Sequence, residues 1–289
     1  MNDSLVSIIT PAYYGEDTLE RAIRSVLTQN YSNWEMIIIS DDDRNYKEVV
    51  QQYGIEDDRL RFTSTGQVGS GASNARNKGL EMARGRYISC LDCDDAFKPH
   101  KLSTLLPFAK KYGVAISSID YRDSETDDCL ENLSAQPKVD YITPEQLFTV
   151  CFHSVSVYVC DRDKIDVCYD IDLPNMQDAI FLMSFFNTVD KIGYCHEPLH
   201  IYYRRDGSAC NSHKTTQSFI FSKKKILEKL NAGTTTIKNH RARSATQKHI
   251  DLMLQMEDIY TREVAKDPSV SFLKLFKSYL EERSVWITR

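Results

Sequence analysis

Within the first hundred residues of this 289-residue chain, short apolar runs rich in β-branched side chains alternate with stretches of helical periodicity. "LVSIITPAYY" opens as a buried strand from Leu5 to Thr10, stopped by Pro11. In "EDTLERAIRSVLTQN", Leu19, Ala22, Ile23, Val26 and Leu27 recur at i, i+3, i+4, i+7 and i+8, and Asp17 with Glu20 resembles a capping box. "WEMIIIS" is a second strand closed by Asp41, Asp42 and Asp43. "YKEVVQQYG" reads as a short helix ending at Gly54, "RLRFTS" as a third strand, and "ASNARNKGLEMARG" as a helix that Gly85 can end. A fourth strand in "YISCLDCDDAF" runs into Asp92, Asp94 and Asp95. This alternation predicts an α/β domain with a largely parallel sheet, helices on both faces, and a ligand crevice at the strands' carboxyl ends.

Composition removes some functions. A net charge of −5 leaves no electrostatic footprint for nucleic acid. No run approaches the length of a membrane span, and Met1 leads into the first strand without a basic region or cleavage site, so a cytoplasmic protein is expected. The eight cysteines follow no framework spacing and should be reduced; Cys90 and Cys93 form a CxxC with no second pair at zinc-ligand spacing.

Beyond residue 110 the pattern is looser. "VAISSIDYR" reads as a strand, residues 123–140 as a polar insertion, and "TPEQLFTVCF" as a helix opening at Pro144. "NMQDAIFLMSFFN" is a strongly apolar helix with Asp178 near its start, where the macrodipole favours a carboxylate. "FSKKKILEKL", "HIDLMLQMEDIY" and "SFLKLFKSYLEERSVW" are amphipathic helices. This C-terminal region is either a helical cap or homo-oligomer contact, or a foot on the inner membrane surface that interleaves Phe272, Leu273, Leu275, Phe276 and Leu280 with Lys274 and Lys277.

Asp92 and Asp94 lie on one side if their strand continues, and Mg²⁺ or Mn²⁺ is typically held by one or two carboxylates together with substrate phosphates. The plainer alternative is a solvated acidic loop. "GQVGSGASN" contains a GxG, but after the third strand and without the final glycine of a dinucleotide fingerprint; it reads as a polar loop able to touch a ligand at this edge.

Five ordered stretches, "VSIITPAYY", "MIIISDDD", "ASNARNKGLEMARGRYISCLDCDDAFKPHKL", "NMQDAIFL" and "PLHIYYRRDGS", resemble the family 2 glycosyltransferases, inverting nucleotide-sugar-dependent enzymes of the GT-A fold. The resemblance implies a mixed, mostly parallel sheet flanked by helices, with a GT-A domain over residues 1–212 and a helical region over 213–289. Residues 1–100 would bind the nucleotide sugar and 101–212 the glycan or lipid-linked acceptor. It implies that Thr10, Pro11 and Tyr13 border the nucleoside, that Asp42 contacts the base, and that Asp92 lies near ribose or metal. Asp94 would be the metal ligand, for Mn²⁺ or Mg²⁺, with Asp95 beside the sugar, Asp178 as catalytic base, and Arg204 or Arg205 reaching the diphosphate of a UDP-sugar. Gln177 stands where relatives carry Glu, Tyr14 where they carry Asn, and Asp43 and Arg44 replace Gly-Ser. A non-catalytic GT-A-like nucleotide- or partner-binding module and a sugar-phosphate nucleotidyltransferase stay open as alternatives, though "TPAYYGED" lacks the Gly-rich basic loop the latter requires.

Overall fold

The structure, a computed structural model, describes residues 4–133, 139–150, 157–204 and 213–267, with 275, 278 and 279. The first half alternates β1 (Val6–Ala12), α1 (Leu19–Leu27), β2 (Trp34–Ser40), α2 (Tyr46–Gln52), β3 (Leu60–Ser64), α3 (Ala72–Met82) and β4 (Tyr87–Cys90). After it come β5 (Ala96–Phe97), α4 (Lys101–Tyr112), β6 (Val114–Asp123), β7 (Cys129–Leu133), β8 (Tyr141–Ile142), α5 (Pro144–Val150) and β9 (Tyr158–Asp161). The chain continues through α6 (Gln177–Ser184), β10 (Ile192–Arg204), α7 (His213–Ala232) and α8 (His240–Val264).

The strands form one ten-stranded sheet in the order β3-β2-β1-β4-β9-β6-β10-β5, with β7 beside β6 and β8 beside β10. The half built by the first four strands is parallel: β1 pairs in parallel with both β2 and β4, and β2 with β3. Alternation of side chains along β1 sends Ile8 to one face and Ile9 to the other. Ile8 joins a core with Leu19, Ile23 and Val26 of α1 and Leu102 and Leu105 of α4; Ile9 joins one with Ala75 of α3, Phe181 and Met183 of α6, and Ile226 and Ile250 of α7 and α8. The C-terminal helices therefore share the core of the sheet's second face.

Three local expectations are corrected. β1 does not stop at Pro11 but runs through it to Ala12, paired with β2. The proline nitrogen faces the side of β4, whose pairing with β1 ends at Ile9 and Cys90, so no ladder bond is lost. The capping box at Asp17 and Glu20 does not form: α1 starts at Leu19 with Thr18 as its cap residue, no side chain caps it, and Glu20 instead pairs with Arg24 at 2.7 Å. Part of the polar insertion is the strand β7, laid antiparallel on β6. The long strand β10, in parallel register with β6, carries no clean apolar alternation and was not anticipated. "SFLKLFKSYLEERSVW" lies largely outside the described residues, and among those described no helix is long and apolar enough to cross a membrane.

Candidate active site

At the carboxyl ends of β1, β2 and β4 lies a cleft of about 460 Å³, lined by Pro11, Ala12 and Tyr13 at the end of β1, Asp41 after β2, Gly69, Gly71, Ala72, Ala75 and Arg76 in the loop before α3 and its first turns, and Asp92, Cys93 and Asp94 after β4. This is the crevice that a parallel α/β sheet provides at its carboxyl edge.

The paired aspartates after β2 divide their work. Asp41, named in the sequence only as part of the acidic end of the second strand, lines the cleft and organises the glycine loop: its carboxylate accepts from Thr65 Oγ1 at 2.8 Å, from Gly71 N at 2.8 Å and from Ser70 Oγ, while its carbonyl accepts from Gly69 N at 2.7 Å. The loop "GQVGSG" is thus tethered across the cleft mouth, with Gly69 and Gly71 at positive φ angles of 70° and 102° that side chains rarely tolerate. Asp42 does not line the cleft. Its carboxylate accepts from Tyr14 N, from Arg44 N at 2.9 Å, from Tyr46 Oη at 2.8 Å and from Ser40 Oγ at 3.0 Å. Burial alone would raise its pKa, but these donors outweigh that and hold it below the usual carboxylate range. Among adjacent aspartates at a strand end, sequence gives no signal for which one faces the cleft.

The acidic loop after β4 divides likewise. Asp92 and Asp94 line the cleft. Asp94 presents its backbone carbonyl to Arg21 Nη2 at 2.6 Å. Asp95 is 1% exposed and turned inward, accepting from Tyr203 N at 3.1 Å and paired with His200 Nε2 at 3.0 Å. Burial, reinforced by Asp92, pushes the Asp95 carboxyl well above its ordinary range. Cys93 Sγ packs so closely on Gly15 that an added Cβ there would meet it at 2.7 Å; burial, with Asp94 and Asp92 adding, raises this thiol to about 12, so it is no nucleophile.

Arg76 links the cleft to the second half of the chain. Nearly buried itself, it donates from Nη2 to Asp92 Oδ1 at 2.7 Å and places Nη1 3.0 Å from Asp178 Oδ1. The Asp178 contact is an ion pair off hydrogen-bond alignment, so that oxygen has no hydrogen-bond donor of its own. Asp178 is 13% exposed; burial pushes its pKa up to about 6, against the pull of Arg76 and with a further push from Asp92. Its neighbour Gln177 lines a second recess of about 350 Å³ that shares Gly71 and Ala72 with the cleft and is walled by Ser73, Leu173 and Pro174.

Of the other expected residues, Pro11 and the half-exposed Tyr13 line the cleft. Thr10 is fully buried in β1, with its Oγ1 unpartnered by any hydrogen bond. Arg204 ends β10 with its guanidinium 5.5 Å from the Tyr121 ring and does not line the cleft; Arg205 lies outside the described residues.

Residues 7–164, more than half of the chain, match the family model "Glycosyl transferase family 2". The glucosyltransferase WfgD of Escherichia coli, UDP-Glc:alpha-D-GlcNAc-diphosphoundecaprenol beta-1,3-glucosyltransferase, is 29% identical over 78% of this chain and 82% of its own. TuaG of Bacillus subtilis (strain 168), named for teichuronic acid biosynthesis, is 42% identical over a shorter match covering 40% of this chain and 46% of TuaG. Among solved structures, S. aureus TarS in complex with UDP superposes with a TM-score of 0.64 at 14% identity, covering 97% of this chain and 77% of that one, which shows the shared GT-A fold. The chain belongs to glycosyl transferase family 2.

Proposed function

We propose that this chain transfers a sugar, with inversion, from a UDP-sugar to a hydroxyl of a glycan or lipid-linked acceptor in cell-surface polysaccharide synthesis. The observation that carries the reading is Arg76, which ties the cleft carboxylate Asp92 to Asp178 and so brings a donor-side group and a candidate base to one guanidinium. Support for the nucleotide comes from the complexes of TarS with UDP and UDP-GlcNAc, and for the acceptor from the diphosphoundecaprenol-linked sugar in the name of WfgD.

The donor set fits a hard cation. Asp92 and Asp94 bring carboxylate oxygens to the cleft, and among the described residues no three His, Cys, Asp or Glu side chains gather into a self-sufficient metal cage. One or two carboxylates, completed by phosphate oxygens and water, is what Mg²⁺ or Mn²⁺ accepts. Asp94, with Asp92 beside it, would hold the ion, which when bound would offset the negative charge gathering on the departing diphosphate. Tyr13 and Pro11 would border the nucleoside, the half-exposed ring of Tyr13 offering a stacking face.

Asp178 would accept the proton of the attacking acceptor hydroxyl as its oxygen displaces the diphosphate in line. A carboxylate with a pKa pushed up to about 6 is ionised at neutral pH yet a better base than an ordinary one. The recess beside Gln177 is then where the acceptor sugar would lie. Incubation with a panel of UDP-sugars and a synthetic GlcNAc-diphospho-lipid tests the reading. It expects UDP release matched by sugar incorporation; release of pyrophosphate instead, or no turnover of any donor, would reject it.

A further inference from the structure

Beneath the acidic loop, three ionisable side chains stand in a row out of water. Lys101, the first residue of α4, is 0% exposed, His200 of β10 is 0% and Asp95 is 1%. Lys101 Nζ lies 3.1 Å from His200 Nδ1, and His200 Nε2 lies 3.0 Å from Asp95 Oδ2. These two contacts make a continuous hydrogen-bonded row from Lys101 through His200 to Asp95. Burial lowers the Lys101 amine and the His200 imidazole well below their ordinary ranges and raises the Asp95 carboxyl well above its own. Lys101 Nζ also sits 3.7 Å from the centroid of the Phe97 ring.

Burying such a row is a poor route to stability, since hydrophobic replacement of buried ionic groups is often neutral or favourable. Its location accounts for it better. Asp95 follows Asp94 directly, and its other oxygen holds the amide of Tyr203 at 3.1 Å. Tyr203 is clamped again from the opposite side. The Arg21 guanidinium lies 3.5 Å from its ring centroid while donating to the Asp94 carbonyl at 2.6 Å. Asp94 and Tyr203, a cleft residue and the end of β10, are thus tied together twice.

We propose that Lys101 and His200 are positioning residues of the donor site, holding Asp95 so that the loop carrying Asp92 and Asp94 stays locked to the end of β10 at Tyr203. The inference rests on the reading of Asp94 as the ligand of the donor's cation. Lys101 and His200 touch no substrate; they act in series through Asp95.

The test uses full-length Lys101→Met, which keeps chain length and the Phe97 contact, His200→Phe, and the double variant. Two readouts are taken: calorimetric binding of UDP with and without Mn²⁺, and amide hydrogen exchange at Asp95 and Tyr203. Each single variant should weaken Mn²⁺-dependent UDP binding roughly 10- to 100-fold, the usual cost of losing a group that orients a metal ligand, and leave Mn²⁺-free binding alone. The double variant should lose no more than the worse single one, and exchange should accelerate at Asp95 and Tyr203 ahead of the rest of the sheet. His200→Gln, which can still donate to Asp95 and accept from Lys101, should restore most of the affinity, and it serves if His200→Phe fails to fold. Unchanged Mn²⁺-dependent affinity, losses that add in the double variant, or unaltered exchange at Tyr203 would overturn the proposal. If the parent protein binds no UDP with Mn²⁺, the donor reading fails, and the exchange arm alone decides whether the row locks the loop.

Discussion

Arg76 Nη1 lies 3.0 Å from Asp178 Oδ1, and the same guanidinium holds Asp92 on its other side, so one buried cation serves two carboxylates from distant parts of the chain. Removing one partner of a buried ionic set strands the others. Arg76→Met should therefore destabilise the fold by about 3–5 kcal/mol, read by urea unfolding, whereas Arg76→Lys should keep part of that stability but lose the two-sided grip of a planar fork. A loss within about 0.5 kcal/mol, the range of ordinary surface substitutions, would mean the bridge is not made in solution.

Asp178 should set the acid limb of the pH profile. A base works ionised, so with the carboxyl pushed up to about 6, turnover should be flat near neutrality and fall as pH drops through that value. Asp178→Asn should bind donor nearly as the parent does and lose transfer by about 10²-fold or more. Retained turnover in a radiolabelled-sugar assay would take the base role away from Asp178.

Glu35 offers a stability test away from the cleft. Buried on β2, it accepts from Ser7 Oγ at 2.6 Å, Arg84 N at 2.7 Å and Arg61 Nη1 at 2.8 Å. Burial opposes its ionisation, but these donors win and depress its pKa. A depressed carboxylate contributes stability above its unfolded value of about 4.3 and loses it as pH falls through the folded value. The melting-temperature gap between parent and Glu35→Gln should be widest near neutral pH and close in acid; a gap independent of pH would contradict this.

Gly85 is legible in sequence for a reason that the structure changes. It reads as a helix terminator, yet α3 ends at Met82, and a Cβ at Gly85 would meet Leu5 O at 2.6 Å, just before β1, and Ser7 N of β1 at 2.7 Å. Close approach of two backbones, more than helix capping, demands glycine. Gly85→Ala should cost about 1–3 kcal/mol by overpacking, measured by thermal or urea unfolding. A neutral substitution would show that β1 can move aside.

β1, β2 and β4 could be read because each is buried on both faces, so its apolar run is nearly unbroken, as in "WEMIIIS". β10 could not: "IGYCHEPLHIYYR" interrupts itself with His, Glu and Pro, and two of its residues are turned to the acidic loop, His200 holding Asp95 and Tyr203 binding its other oxygen. The DxD was legible as a cluster. The inward turn of Asp95 and the choice of Asp41 over Asp42 depend on backbone turns that composition does not encode. Arg76 looked like an ordinary helix residue, since its partners Asp92 and Asp178 come together only in the fold.

The most direct test of the central claim, that Asp94 holds a cation through which the donor's diphosphate binds, is a calorimetric titration of UDP into the parent protein and Asp94→Ala, each with and without Mn²⁺. The account predicts binding that strengthens with Mn²⁺ in the parent and loses that dependence in Asp94→Ala. Equal Mn²⁺ dependence in both proteins would contradict it.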